Sequence, residues 1–392
     1  MHVEQTPNEA SDRLERIAQV RIALLGLMEI DRYAWDEQNI LRLRGRLLAP
    51  ADSIYRTIRA NLKPLGLLPM LRRAEDSQQD ELIALPDLIE HKPARIGLPI
   101  LLFVLTIFSV LLTGAINEWE GPRNTDFLEI LWQILSTPPL LMAGLPFTVT
   151  LLGILFAHEM GHYIVGRLRK APVSLPYFIP MPPGISFTGT MGAVIVQREP
   201  MEDRKQILEI GIAGPIAGLV VAIPLLFYGL SISPVAQPTP DMLADGYLQE
   251  GNSLLYAAIK WLVFGQFLPN NGYDVQLGPI ALGAWIGLLI TMINMLPVGQ
   301  LDGGHVAYAL LGRRSTYLAY AMLGLCIALG LAIPNNYVWL IWGVMAFFIG
   351  PQHPPPLNDI SNISGKHITL AIFGLIIFVL LLMPVPLQVV QP

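Results

Sequence analysis

A chain of 392 residues with 53% hydrophobic and only 14% charged residues, and a mean hydropathy of +0.51, lies outside the range of soluble globular domains and reads as a polytopic α-helical membrane protein. A formal charge of −5, with no basic cluster interleaved with aromatics, argues against a nucleic-acid partner. The single cysteine, Cys326, sits in an apolar run, which excludes an internal disulfide framework and a cysteine-based zinc site.

Residues 1–96 hold 14 of the 25 Lys and Arg residues and read as a small soluble α+β accessory domain, with a ligand sensor as the alternative. Arg13 to Ile30 is periodic as an amphipathic helix, and Ile40 to Leu48 alternates as a strand. Asp52 to Leu62 is helical with Asp52 or Ser53 as cap, and Leu67 to Leu71 and Glu81 to Leu85 are short strands. The first twenty residues carry several acids and no apolar core, so neither a signal peptide nor a transit peptide is expected, and membrane entry rests on internal segments.

From Gly97 to Asn117 there are 21 uncharged residues, enough at about 1.5 Å each to cross a hydrocarbon core of roughly 30 Å. A polar turn with Glu118, Glu120, Arg123 and Asp126 follows. The uncharged run from Ile130 to Ala157 is broken at Pro138-Pro139, which predicts an interfacial piece and then a span from Leu140 to Val165. Residues 171–206 are apolar but rich in proline, so their backbone must be buried in protein or line a wet cavity. A re-entrant loop or small sheet is expected there, with a strand over Gly192 to Gln197. A third span runs from Ile207 to Leu230, where Gly214 and Gly218 mark a close helix-packing face. The segment 231–277 carries four acids, Asp241, Asp245, Glu250 and Asp274, against Lys260, and its middle, Leu254 to Leu268, suits the membrane interface. Gly278 to Leu301 is apolar, breaks at Pro297-Val-Gly-Gln300 and delivers Asp302. Spans near Tyr317 to Ala332, Tyr337 to Phe348 and Ile368 to Met383 bring the expected number of transmembrane helices to about six to eight.

Within this frame Phe156-Ala-His-Glu-Met-Gly-His162 carries ionisable groups inside an apolar run, where charge is costly and retained mainly for function. On a helix His158 and His162 lie on one face and can bind one zinc ion, with Glu159 beside a water on that ion. The bland alternative is a buried histidine pair with an incidental glutamate. Lys and Arg counts near the span ends put the N-terminal domain, the Arg167–Lys205 stretch and Arg313-Arg314 on the cytoplasmic side. On that path His158 lies nine residues before Arg167, about 13 Å along a helix, and Asp302 lies eleven before Arg313, about 16 Å. The two motifs share a depth, which makes Asp302 the third ligand and leaves a fourth position for water.

His158-Glu-Met-Gly-His162 together with Asn294-Met-Leu-Pro297-Val-Gly-Gln-Leu-Asp302-Gly-Gly304 resembles the site-2 protease family of intramembrane zinc metalloproteases, whose motifs are H-E-x-x-H and N-x-x-P-x-x-x-x-D-G. The likeness covers about 140–311 as a catalytic core within a membrane domain of 97–392, with weaker echoes in Thr188-Gly-Thr-Met-Gly192 and Gly211-Ile-Ala-Gly-Pro215. It is to the bacterial, cyanobacterial and plastid-type branch without a PDZ domain. The resemblance implies hydrolysis of peptide bonds within or near transmembrane segments of membrane-protein substrates, with Zn2+ on His158, His162 and Asp302, and Glu159 as base. It offers Asn294 as donor to the substrate carbonyl; pinning the break at Pro297 is the alternative role. It also implies a bacterial plasma membrane, with the N-terminal domain and the active-site opening on the cytoplasmic side. His305, three residues past Asp302, could touch the site or merely pack beside it, while His353 and His367 read as solvated. Trp339 and Trp342 suit an interfacial belt. The competing reading is a zinc or other cation transporter using the same His and Asp groups. A prenyl-protein type peptidase and an inactive relative are further alternatives.

Overall fold

The structure, a computed structural model, describes residues 7–74, 79–87, 96–122, 125–239, 246–334 and 337–390. Arg123, Asp241 and Asp245 lie outside the described residues. The chain forms two compact units, one of residues 1–92, 199–207 and 355–364, the other of residues 93–198, 208–354 and 365–392.

In the first unit α1 (Pro7–Ala23), β1 (Met28–Trp35), β2 (Leu41–Leu47), α2 (Ala51–Leu62), β3 (Leu67–Arg73) and β4 (Asp80–Pro86) follow one another. The four strands make one antiparallel sheet in the order β1-β2-β4-β3. The helix expected to reach Ile30 instead stops at Ala23, because Gly26 turns the chain in the left-handed conformation (φ +73°) and releases Met28-Glu-Ile-Asp-Arg-Tyr-Ala-Trp35 into an edge strand. The cap of α2 is Pro50 rather than Asp52 or Ser53; the Ser53 hydroxyl donates back to the Pro50 carbonyl at 2.7 Å. This helix buries Ile54, Tyr55, Ile58 and Leu62, a stripe at helical spacing. Two distant stretches complete the unit. The Leu71 amide donates to the Leu357 carbonyl at 2.7 Å, the Asp359 amide donates to the Leu71 carbonyl at 3.0 Å, and the Leu357 side chain is buried in this core. Arg59 pairs with Glu199 at 2.5 Å, Lys205 with Asp52 at 3.0 Å and Arg204 with Asp359 at 2.9 Å.

The second unit is mostly helical. It contains α3 (Gly97–Asn117), α4 (Phe127–Ser136), α5 (Pro138–Ala143), α6 (Leu145–Leu168), β5 (Tyr177–Pro180), β6 (Thr190–Val194) and most of α7 (Arg204–Ser231). Then come β7 (Val235–Ala236), β8 (Tyr247–Glu250), α8 (Leu254–Phe264), β9 (Asp274–Val275), α9 (Pro279–Asn294), α10 (Asp302–Leu311), α11 (Ser315–Ala332), α12 (Val338–Ile349), α13 (Gly365–Leu381) and β10 (Leu387–Val390). Among the described residues, Gly97–Asn117, Pro138–Leu168, Arg204–Ser231 and Asp302–Ala332 are long and apolar enough to cross a membrane, and five apolar helices are shorter. The chain is a membrane protein with a small sheet domain. The run Gly278 to Leu301 is not one helix. It stops at Asn294, because Pro297 disfavours helical backbone at the residue before it and supplies no amide.

The buried helix α9 packs on α6, where Gly287 leaves room: a Cβ there would lie 2.8 Å from Cδ1 of Ile154. The expected strand over Gly192 to Gln197 is β6 at Thr190–Val194, antiparallel to β5 with Tyr177 opposite Val194. This hairpin rests on α3, where the Ser109 hydroxyl donates to the Met181 carbonyl and Gly189 (φ +74°) comes against the backbone of Ser109 and Val110. Trp339 is no interfacial residue; it is 1% exposed, and its indole donates to the Pro384 carbonyl at 2.9 Å.

In the 231–277 segment Lys260 is fully buried. Its ammonium donates to Glu250 at 3.1 Å and to Asp274 at 3.0 Å, and the Tyr256 hydroxyl donates to Glu250 at 3.2 Å. Burial pushes the Glu250 carboxyl up, while the Lys260 charge pulls it back. Removing one partner of a buried ion pair leaves uncompensated charge. The Lys260→Met variant is therefore expected to lose about 3–5 kcal/mol of stability, measured by reversible denaturation in detergent; a variant that unfolds with the wild type would refute the pairing.

Candidate metal centre

Four helices bring the site together. In α6 the spacing His158-x-x-x-His162 puts both imidazoles on one face. The irregular stretch 295–301 separates α9 from α10, so that Asn294 ends one helix and Asp302 opens the next. A carboxylate suits this helix N-terminus. His158 Nε2 lies 3.1 Å from Asp302 Oδ2 and 3.2 Å from His162 Nε2, and His162 Nε2 lies 3.3 Å from Asp302 Oδ1. Ligands about 2.0–2.1 Å from a tetrahedral zinc stand about 3.3 Å from one another. Among the described residues, only these three His, Cys, Asp or Glu groups converge in a way that could hold a metal ion. The donor set of two nitrogens and one carboxylate fits zinc with one coordination position left over.

The remaining helix, α7, orients one ligand. His162 Nδ1 donates to the Ile210 carbonyl at 2.7 Å, which fixes the tautomer and leaves Nε2 with a lone pair facing its partners. Pro215 gives the Gly211 carbonyl no amide, so the ladder of α7 is interrupted beside the carbonyl that His162 uses. The approach is possible only because of glycine: a Cβ at Gly214 would stand 2.1 Å from His162 Nε2, and one at Gly218 would stand 3.3 Å from His158 Cβ. On the other flank, a Cβ at Gly161 would meet the Ala213 carbonyl at 2.5 Å. The Gly214–Gly218 packing face expected from the sequence is thus the face that receives the two histidines.

His158 is 3% and Glu159 7% exposed. Asn294 is drawn in as well, its Nδ2 standing 3.4 Å from His158 Nε2. His305 pairs with His353 rather than with the three converging groups, Nδ1 to Nε2 at 2.6 Å. Of the two histidines expected in solvent, His353 is partly exposed and His367 is buried. His353 returns from its loop onto α10, and His367 is buried and bonds Glu209 at 2.9 Å. The Ile210 carbonyl and the room at Gly214 had no signal in the sequence beyond small residues four apart.

Residues 146–333 match the model of peptidase family M50. The "Probable zinc metalloprotease EGY1, chloroplastic" of Arabidopsis thaliana is 32% identical over 248 residues, 63% of this chain and 44% of that protein. The same organism's "Probable zinc metalloprotease EGY2, chloroplastic" is 31% identical over 290 residues, 70% of this chain and 50% of that protein. From Oryza sativa subsp. japonica, "Probable zinc metalloprotease EGY1, chloroplastic" is 28% identical over 303 residues, 73% and 50% of the two chains. The chain spans about half the length of the curated relatives it matches. No solved structure matches it.

Proposed function

We propose, from the match of residues 146–333 to peptidase family M50, that the chain is a zinc metalloendopeptidase of that family that hydrolyses peptide bonds within or near transmembrane segments of membrane proteins. The observation that carries this reading is the triangle of His158, His162 and Asp302, in which the two imidazole Nε2 atoms lie 3.2 Å apart and each meets one carboxylate oxygen of Asp302 at 3.1–3.3 Å, with both histidines on a long apolar helix. His158, His162 and Asp302 would hold the ion, with Glu159 as the catalytic base and Asn294 as a donor to the substrate. The cation-transporter alternative gains nothing from relatives named as metalloproteases.

Zinc bound there would act as a Lewis acid and bring the pKa of a coordinated water toward neutrality. Glu159 takes the proton from the attacking water and passes it to the leaving amine. Asn294 donates its amide N–H to the substrate carbonyl oxygen as negative charge develops, a contribution of about 3 kcal/mol. A helical substrate has its carbonyls occupied and must unwind locally before it is cut. The strand β6, paired on one side with β5, offers its other edge to the unwound segment by strand addition, and the proline-rich stretch 171–189 lines the path for water.

The catalytic core is residues 140–311 within a membrane domain of 97–392 that crosses the bilayer six to eight times, the shorter helices supplying the spans beyond the four long ones. Residues 1–96 are an accessory domain. The Lys and Arg distribution supports that domain and the site's opening lying on the cytoplasmic face of the membrane, or on the topologically equivalent face of an organelle like those of the chloroplastic relatives.

Cleavage of tagged single-span membrane proteins by the detergent-purified chain tests the proposal. Product is expected from the zinc-loaded protein, is lost on chelation and returns with added zinc. Failure to cut any substrate with zinc bound, together with metal flux in vesicles, would replace the peptidase by a transporter.

A further inference from the structure

The helix that opens with Asp302 has a weak first turn. Its N-cap, Leu301, supplies no side-chain hydrogen bond, and Gly303 and Gly304 follow Asp302, each costing about 1 kcal/mol of helix propensity relative to alanine. Those glycines are required by crowding, since a Cβ at Gly303 would lie 1.9 Å from the Met295 carbonyl and one at Gly304 would lie 2.3 Å from the Gly299 carbonyl. The turn that carries Asp302 therefore has to be held from outside.

Residues 350–354, just after α12, hold it at two points. The Gly350 carbonyl presses against Gly299 (φ +51°), where a Cβ would stand 2.0 Å away. Further along, His353 stacks on Tyr308 with ring centroids 4.5 Å apart and meets His305 at 2.6 Å. The proton positions follow from donor and acceptor bookkeeping. His353 Nδ1 lies 2.6 Å from the Pro354 carbonyl, which can only accept, so Nδ1 carries the hydrogen and Nε2 of the neutral ring is an acceptor. His305 Nδ1 is then the donor to His353. His305 is the first side chain after the two glycines, and its Cβ is wedged against Gly211 of α7, where a Cβ would lie 2.6 Å away. Gly211 immediately follows the residue whose carbonyl orients His162.

We infer that His353 is a positioning residue for the metal centre: by accepting a hydrogen bond from His305 it anchors the glycine-rich turn that presents Asp302. The inference rests on Asp302 being a metal ligand. It predicts that losing the acceptor loosens the ion without removing any ligand, an effect that runs from about tenfold to a hundredfold when groups supporting metal ligands are changed.

The test uses the full zinc-loaded chain in detergent, with the rate of zinc loss to a chelator as the first readout and the kcat and KM of substrate cleavage as the second. His353→Phe keeps a ring on Tyr308 but cannot accept; His353→Gln gives up the ring but keeps an acceptor oxygen within reach of His305. Zinc loss about tenfold faster than wild type is expected for His353→Phe, with kcat lowered and KM unchanged, and His353→Gln is expected within about twofold of wild type. If the phenylalanine variant does not fold, His305→Asn, which keeps a donor at the Nδ1 position, is compared with His305→Leu, and only the latter should shed zinc quickly. A phenylalanine variant that keeps zinc like wild type, or a glutamine variant as impaired as phenylalanine, overturns the positioning role. Faster zinc loss by His353→Phe from a protein that cleaves nothing leaves the positioning role standing and refutes the peptidase reading. Wild-type protein that retains no zinc overturns both.

Discussion

Glu159→Gln is expected to keep its zinc and lose its proteolysis, with turnover falling by about 10⁴, the upper end of what a general acid–base group contributes. The upper end applies because, in the proposed mechanism, one carboxylate serves twice, first removing a proton from the attacking water and then delivering it to the leaving nitrogen. Glutamine has the same shape and cannot take a proton. Glu159 is not among the three groups that converge as candidate ligands, so zinc content per chain should match wild type. Both quantities come from one preparation, by metal analysis and by product formation from a tagged single-span substrate. A glutamine variant that cuts within tenfold of wild type would remove Glu159 from the chemistry, and one that cuts nothing because it has lost zinc would make Glu159 a ligand instead.

The second large effect arises from a residue with no chemistry of its own. Gly214→Ala places a methyl group 2.1 Å from His162 Nε2 and 2.5 Å from Cδ2 of the same ring, far inside contact distance. The ring cannot simply back away, because its Nδ1 is held by the Ile210 carbonyl at 2.7 Å. Either that bond breaks or the imidazole leaves the triangle. Displacement by about 1 Å at a reacting centre costs about 10²-fold in rate, and zinc affinity should fall with it. Gly218→Ala is the control: its Cβ meets His158 Cβ at 3.3 Å, a gap closed by a shift of a few tenths of an ångström. Both substitutions raise helix propensity by about 1 kcal/mol, so a general effect of alanine in α7 would appear equally in both. Zinc loss and inactivity confined to the Gly214 variant are expected. Equal zinc content in the two variants would show that the histidine does not sit where α7 requires it.

Much of this protein is written locally. Residues Gly97–Asn117 form one helix over the span marked by their lack of charge, since crossing a hydrocarbon layer demands a length and composition that any reader of the chain can count. The placement of His158 and His162 on one face of α6 follows from helical periodicity. The break after Asn294 follows from Pro297, and counting residues back from the arginines pairs Asp302 with the histidines on which it converges. Local signals also failed in places. The strand at Met28–Trp35 is hidden because Met28 and Ile30 continue the apolar stripe of the preceding helix in sequence, although the chain has already turned at Gly26.

What lies beyond the reach of the sequence is which distant groups share a space. Pro351 to His367 reads as a proline-rich connection too short for a domain, yet Leu357 is buried in the core of the first unit; nothing in its neighbours distinguishes it from a loop leucine. Lys260 reads as one cation among acids and is in fact enclosed between two of them. Gly214 reads as a packing residue, and only the approach of α7 to α6 shows that the space it leaves belongs to an imidazole. His353 reads as solvated, and only the return of its loop sets it on His305. By itself, then, the sequence determined the membrane character, the helix carrying the two histidines and the identity of the third converging carboxylate, because periodicity, proline and charge act within a few residues. Only the tertiary structure decided how those groups are held, because the holding contacts are close approaches between segments some 50 to 150 residues apart, set by packing rather than by any local preference.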